Sequence, residues 1–207
     1  MPLSPPAAKR AAIRPRHAAS LIIVRQRRVG TEMLMGMRGA KHRFMPNRLV
    51  FPGGAVDPTD HKAPFATPLR EETRALLERT APPRLAQGLA GAAARELEEE
   101  TGLTLGAPPA LDGLSYLCRA VTPPSQPVRF NARFLVVDVE RISGTLAGSG
   151  ELEELRYYGM EEALAFDLAG ITRDILKNLQ KFLLMSPQER LDRTTTPINR
   201  FNNWRTE

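Results

Sequence analysis

The chain has a single cysteine, Cys118, in 207 residues. That count excludes an internal disulfide framework and points to a reducing compartment, taken here as the cytoplasm. Long hydrophobic runs are missing as well. Leu21–Val24 and Phe134–Val137, at four residues each, are as long as the unbroken apolar runs get. A membrane-spanning helix needs about 20, so no membrane partner is expected. No acid occurs before Glu32. There is no GxSxG, which leaves serine-hydrolase chemistry without support, and Cys118 has no marked His partner. His17, His42 and His61 lack zinc-ligand spacing.

What is present is the composition of a soluble globular chain, 42% hydrophobic and 25% charged. The net charge of +6 first suggests a nucleic-acid binder. Its distribution argues otherwise. Residues 1–31 hold seven of the 29 basic residues, leaving 22 basic against 23 acidic residues in the remainder, a net of −1. The basic excess belongs to one end of the chain, so no nucleic-acid partner is expected.

Residues 1–18 carry Pro2, Pro5, Pro6 and Pro15 among Ala and Arg, with no apolar period, and read as a disordered basic tail. They lack the apolar core of a secretory signal, although an Arg-rich, acid-free stretch also has the composition of a transit peptide. Residues 19–185 form the expected domain, and 186–207 a polar, irregular C-terminal extension. Strands are predicted at Leu21–Arg25, Glu32–Arg38, Leu49–Phe51, Leu114–Val121, Arg129–Val139 and Leu155–Tyr158. Helices are predicted around Leu69–Arg79, from Arg84 to Thr101, over Glu161–Phe166, and onward from a cap at Thr172. Leu85, Leu89, Ala93 and Leu97 make one apolar stripe, and Ile175, Leu176, Leu179, Phe182 and Leu183 another. Gly102 is placed to close the second helix as a left-handed cap. The mixture indicates an α/β or α+β domain.

The segment Arg95-Glu96-Leu97-Glu98-Glu99-Glu100-Thr101-Gly102-Leu103 places Glu96, Glu99 and Glu100 on one side of a helix, at i,i+3 and i,i+4. Like charges there repel, and the C-terminal end of the helix dipole adds to the cost. Each effect is worth a few tenths of a kcal/mol, up to about 1 kcal/mol. Such a face is either solvated or arranged around a divalent cation, and Mg²⁺ and Mn²⁺ favour oxygen ligands.

The same segment matches REUxEExGU, where U is bulky and apolar, at every fixed position. It thereby resembles the second half of the box that defines the Nudix hydrolases. Phe51-Pro52-Gly53-Gly54 resembles the loop that opens the box. The family pattern is G-x5-E-x7-REUxEExGU. Gly54 is followed by five residues and then Asp60, an acid one carbon shorter than the family's Glu. Between Asp60 and Arg95 lie 34 residues where seven are usual, so the box is split by about 27 residues, within 61–90. In the family the displaced Glu ties the loop to the helix. Whether Asp60 can do so is open.

The resemblance implies an α/β/α sandwich with a mixed sheet, a helical insertion inside the box, and hydrolysis of a nucleoside diphosphate linked to another moiety. It implies that Glu96, Glu99 and Glu100 bind Mg²⁺ or Mn²⁺, with Arg95 as their electrostatic partner. The general base comes from the box or a later loop, and Glu151, Glu153 and Glu154 are candidates. Counted back from Phe51, Arg38 and Arg43 fall at two arginine positions of a motif found in coenzyme A-cleaving members. There Asn47 replaces a Gly and Gly36 a Thr. A split box is also similar to an acyl-coenzyme A diphosphatase branch. The substrate expected is thus CoA or acyl-CoA, giving 3′,5′-ADP and (acyl-)4′-phosphopantetheine. Arg38, Arg43, Gly53 and Gly54 would contact it. The alternatives are another nucleotide (ADP-ribose, NADH, an oxidised dNTP) or a non-catalytic binding module of the same fold. A homodimer is left open.

Overall fold

The computed structural model describes residues 13–40 and 45–207. β1 (Arg16–Arg27) and β2 (Gly30–Arg38) form a hairpin. β3 (Leu49–Val50) and β4 (Gly53–Ala55) follow, then a 3-10 turn at Asp60–Lys62. α1 (Glu71–Glu78) and α2 (Pro83–Thr101) come next, then β5 (Leu103–Thr104), β6 (Ser115–Val121) and β7 (Phe130–Asp138). β8 (Ser143–Gly144), β9 (Leu152–Gly159), α3 (Met160–Ala165), α4 (Gly170–Leu184), α5 (Pro187–Leu191), β10 (Pro197–Arg200) and β11 (Asn203–Thr206) complete the chain.

Nine strands share one mixed sheet, in the order β11-β10-β6-β7-β1-β2-β3, with β4 also pairing β1 and β9 also pairing β2. The β1–β7 and β10–β6 pairs are parallel, and the others antiparallel. Strand periodicity divides the core. Ala19, Leu21 and Ile23 of β1, with Leu135 and Val137 of β7, pack against α1 and α2. Ile22, Val24 and Val136 point the opposite way, toward α3 and α4. The result is the expected α/β/α sandwich with a mixed sheet.

Both helical stripes are buried as expected: Leu89, Ala93 and Leu97 on α2, and Ile175, Leu176, Leu179 and Phe182 on α4. Gly102 has φ +70° and its N–H donates to the Glu98 carbonyl, closing α2 in the left-handed region that suits glycine. α1 lies within the insertion and packs against α2 and β6, with Leu76 and Leu77 in the core.

Several boundaries differ from expectation. Residues 16–18 belong to β1, not to a tail, because Arg16, His17 and Ala18 pair with Phe130, Asn131 and Ala132 of β7. Residues 1–12 lie outside the described residues. Thr172 sits inside α4 and Ala169 takes the cap position. The extension after Ser186 is not irregular. It forms α5 and a hairpin that adds β10 to the β6 edge. Polar residues hid that hairpin, since an edge hairpin buries only part of its surface.

Candidate active site

β4 carries the loop glycines across β1, with Gly53 opposite Ser20 and Gly54 opposite Ala19. Gly53 has φ +151°, and a Cβ there would sit 2.4 Å from the Ala19 carbonyl oxygen. Only glycine fits that crossing. Its N–H donates to Glu100 Oε2 at 2.8 Å. A Cβ on Gly54 would lie 2.2 Å from Glu96 Oε1. The two glycines therefore bring backbone directly against the carboxylates of α2.

Arg95 organises the other side. Its Nε donates to Asp60 Oδ1 at 2.9 Å and its Nη2 to Asp60 Oδ2 at 3.1 Å. Nη2 also donates to the Ala55 carbonyl at 3.0 Å, and Nη1 to Glu96 Oε1 and Glu99 Oε2 at 2.8 Å each. Asp60 is 2% exposed and also accepts the Asp57 N–H at 2.7 Å. Despite its shorter side chain and the intervening insertion, Asp60 ties the loop to the helix.

The three glutamates are not equivalent. Glu100 is buried, and burial pushes its carboxyl up to about 7. The Gly53 N–H and the Arg38 charge oppose that shift, while the charges of Glu96 and Glu151 add to it. Burial also raises Glu96, against the pull of Arg95 and with help from Glu99 and Glu151. The Glu99 side chain is 57% exposed and turned onto Arg95. No group of three His, Cys, Asp or Glu side chains is gathered to hold an ion among the described residues. The donor set nonetheless suits a hard cation. It consists of carboxylate oxygens, crowded and partly desolvated.

A cavity of about 920 Å³ opens beside them. Glu96, Glu100, Gly53, Gly54 and Arg38 all line it. The Nε of Arg38 is buried without a hydrogen-bond partner among the described residues. Arg95 and Glu99 do not line the cavity. Arg43 lies outside the described residues. Of the base candidates, Glu151 lines the cavity and Glu153 and Glu154 do not.

Arg133 of β7 and Arg129 just before it are partnered inside the protein and do not line the cavity. Arg133 is fully buried on the face away from the cavity, donating to the Asn131 and Thr80 carbonyls at 3.3 and 3.2 Å and meeting His17 Nδ1 at 3.1 Å. Arg129 donates to the Thr122 carbonyl at 3.0 Å and to that of Ile13.

The far wall comes from residues that carry no motif. Phe130 and Phe134 of β7, Ile171 and Ile175 of α4, and Asn199 of β10 all face the cavity. Apolar alternation marked β7 and α4 as core, and nothing local marked Asn199.

The family model described as the NUDIX domain matches residues 15–179. A NUDIX hydrolase from Alicyclobacillus acidocaldarius is 26% identical, with 81% of this chain and 91% of that chain covered and a TM-score of 0.63. The MutT NUDIX hydrolase from Burkholderia pseudomallei is 21% identical, over 81% and 99% of the two chains, with a TM-score of 0.53. The E. coli ORF135 protein is 19% identical, over 84% and 95%, with a TM-score of 0.54. The last two show likeness of fold alone. No curated protein matches the chain.

Proposed function

Because the chain belongs to the Nudix family, and with it to the hydrolases of nucleoside diphosphate derivatives, we propose that it cleaves the diphosphate of CoA or acyl-CoA at the cavity bounded by Glu96, Glu100 and Arg38. The products would be 3′,5′-ADP and (acyl-)4′-phosphopantetheine. The observation that carries this reading is the Arg38 guanidinium. It lines the same cavity as the two acids and its buried Nε has no partner among the described residues. A guanidinium without a carboxylate is suited to phosphate oxygens. The cavity is at the upper end of the range for small-ligand sites, which suits a long substrate.

Members of the family use divalent metal. When bound, such an ion neutralises diphosphate oxygens and lowers the pKa of a water. Glu96 and Glu100 would hold it, joined by Glu99 if that side chain leaves Arg95. The remaining work falls to the chain. Asp60 and Ala55 fix Arg95, and Arg95 fixes Glu96. The Gly53 N–H fixes Glu100. Arg38 orients the diphosphate. To Glu151, the one base candidate that lines the cavity, we assign the proton of the attacking water.

Incubation with CoA, acyl-CoAs, ADP-ribose, NADH and oxidised dNTPs, with Mg²⁺ or Mn²⁺, tests the proposal. Release of 3′,5′-ADP from CoA supports it, and activity confined to another compound overturns the CoA assignment. Glu96→Gln and Glu100→Gln are each expected to lower kcat/KM by at least about a hundredfold with the fold intact. A wild type that turns over none of these compounds would favour the binding module.

A further inference from the structure

A second, smaller hollow lies where the insertion meets the C-terminal extension. Its volume is about 150 Å³, and none of its lining residues lines the cavity beside the acids. Arg70, at the start of α1, comes from the insertion, and Arg190 of α5 and Arg193 just beyond it come from the extension. Ser115, the first residue of β6, adds a hydroxyl. Glu72 is the one acid on the lining. The walls thus carry three positive charges against one negative, in a chain whose body beyond residue 31 is close to neutral.

The arginines are held in place without being neutralised. Arg190 and Arg193 are half-buried, and both guanidiniums lie 4.8 Å from the ring of Phe182. Arg190 donates from Nε to the Phe182 carbonyl at 3.1 Å and from Nη2 to the Leu183 carbonyl at 2.8 Å. Arg193 donates from Nε to the Arg190 carbonyl at 3.4 Å and from Nη2 to the Tyr116 carbonyl. These bonds fix both side chains and commit neither Nη1 among the described residues. The other acids nearby are already engaged. Glu71 and Glu78 of α1 pair with Arg74, and Asp112, whose charge Arg70 feels, is bound by Thr67 and Arg141. Burial pulls the Arg193 pKa down and the Arg190 charge pulls the same way, against Cys118 and Tyr116. Half-buried like charges of this kind are unfavourable until an anion joins them.

We infer that this hollow binds a phosphate-type dianion, either inorganic phosphate or the head of a phosphomonoester. Guanidinium groups match phosphate oxygens, and three of them with a hydroxyl can surround a tetrahedral anion. The excess of two positive charges matches a phosphate near neutral pH. A whole nucleotide is too large, since small-molecule sites begin near about 300 Å³. The ion would join the insertion to a segment beyond residue 179, where the match to the family ends, so binding should also raise the thermal midpoint.

Calorimetric titration with inorganic phosphate tests the inference, run with a chelator so that no divalent ion draws phosphate to the acids. Wild type is expected to bind phosphate saturably. Methyl phosphate, titrated in parallel, separates the two sources: its binding admits a phosphomonoester, and its exclusion leaves the free ion. Arg70→Gln is expected to weaken binding about tenfold, and Glu72→Gln to tighten it about threefold. Both residues are exposed, so both variants should fold. Arg38→Gln, in the other cavity, is expected to leave the affinity unchanged. The inference is overturned by an absence of saturable binding, by an unchanged Kd in either Arg70→Gln or Glu72→Gln, or by loss of binding in Arg38→Gln. It does not rest on the hydrolytic reading: turnover without phosphate binding at the hollow strikes this inference alone, and phosphate binding without turnover strikes the hydrolytic reading alone.

Discussion

Arg95 serves four acceptors, two of them glutamates and one the buried Asp60. Its pKa is raised, first by the Asp60 hydrogen bonds, so it stays charged wherever the fold persists. The carboxylates it holds are more sensitive to their neighbours. Gly54→Ala tests this, because the new Cβ meets only the end of the Glu96 side chain and Gly54 has no left-handed φ. Expected are a thermal midpoint near wild type and a fall in kcat of about tenfold or more, checked by calorimetry and a turnover assay. On the opposite face, burial lowers the His17 pKa from 6.5, helped by Arg133, Arg119, Arg14 and His61. A depressed pKa contributes stability above 6.5 that is lost as pH falls through the folded value. Protonation also removes the acceptor that Arg133 meets at His17 Nδ1. His17→Asn is expected to flatten the decline in thermal midpoint below pH 6.5. An unchanged decline would show that other groups govern it.

At the scale of elements, the two halves of the box come together although they are far apart in sequence. The 3-10 turn at Asp60–Lys62 packs on α2, where Gly91 lets the Asp60 backbone approach and Gly88 admits the His61 ring. The inserted α1 sits beyond that contact and fills core with Leu76 and Leu77, so the split costs the site nothing geometrically. The turn and the helix are joined chiefly by Asp60 and Arg95. Arg95 keeps Glu96, Glu99 and the Ala55 carbonyl without Asp60, so Asp60→Ala leaves chiefly the Arg95 Nε and the Asp57 N–H unpaired and is expected to destabilise by about 1–3 kcal/mol. Turnover should fall as well, since Arg95 would then bear more strongly on Glu96 and Glu99. Chemical denaturation and a kcat measurement check the two effects separately.

At the scale of the molecule, the acids and the far wall lie on one cavity because β1 pairs with β4 on one side and β7 on the other. Cations at the acid end should stabilise the whole. At a concentration of Mn²⁺ a hundred times its Kd the gain is about 2.7 kcal/mol, or roughly 5–10 °C in Tm for a chain of this size. Glu96→Gln and Glu100→Gln are expected to blunt the rise, measured by differential scanning fluorimetry after chelation. The charge of the whole has a further consequence. Deleting residues 1–18 to test for salt-sensitive nucleic-acid binding would remove Arg16, His17 and Ala18 from β1, so the deletion should end before Ile13.

The sequence by itself determined the family of the box and the class of fold. REUxEExGU is contiguous in sequence and its Arg95–Thr101 stretch lies on one helix, where spacing alone fixes which acids share a face. The buried stripes of α2 and α4 and the alternation of β7 are periodic over many residues, and periodicity reports burial directly. Contacts between distant segments were decided only by the tertiary structure. Asp60 reaches Arg95 across the insertion. Glu100 is raised to about 7 and Glu99 left exposed although both are glutamates on the same turn. Arg133 is fully buried although an arginine on a strand is ordinarily solvated. Asn199 arrives in the cavity from a polar segment with no motif. Each of these depends on which groups desolvate or partner one another, and desolvation is a property of the packed arrangement, not of the residue or its spacing.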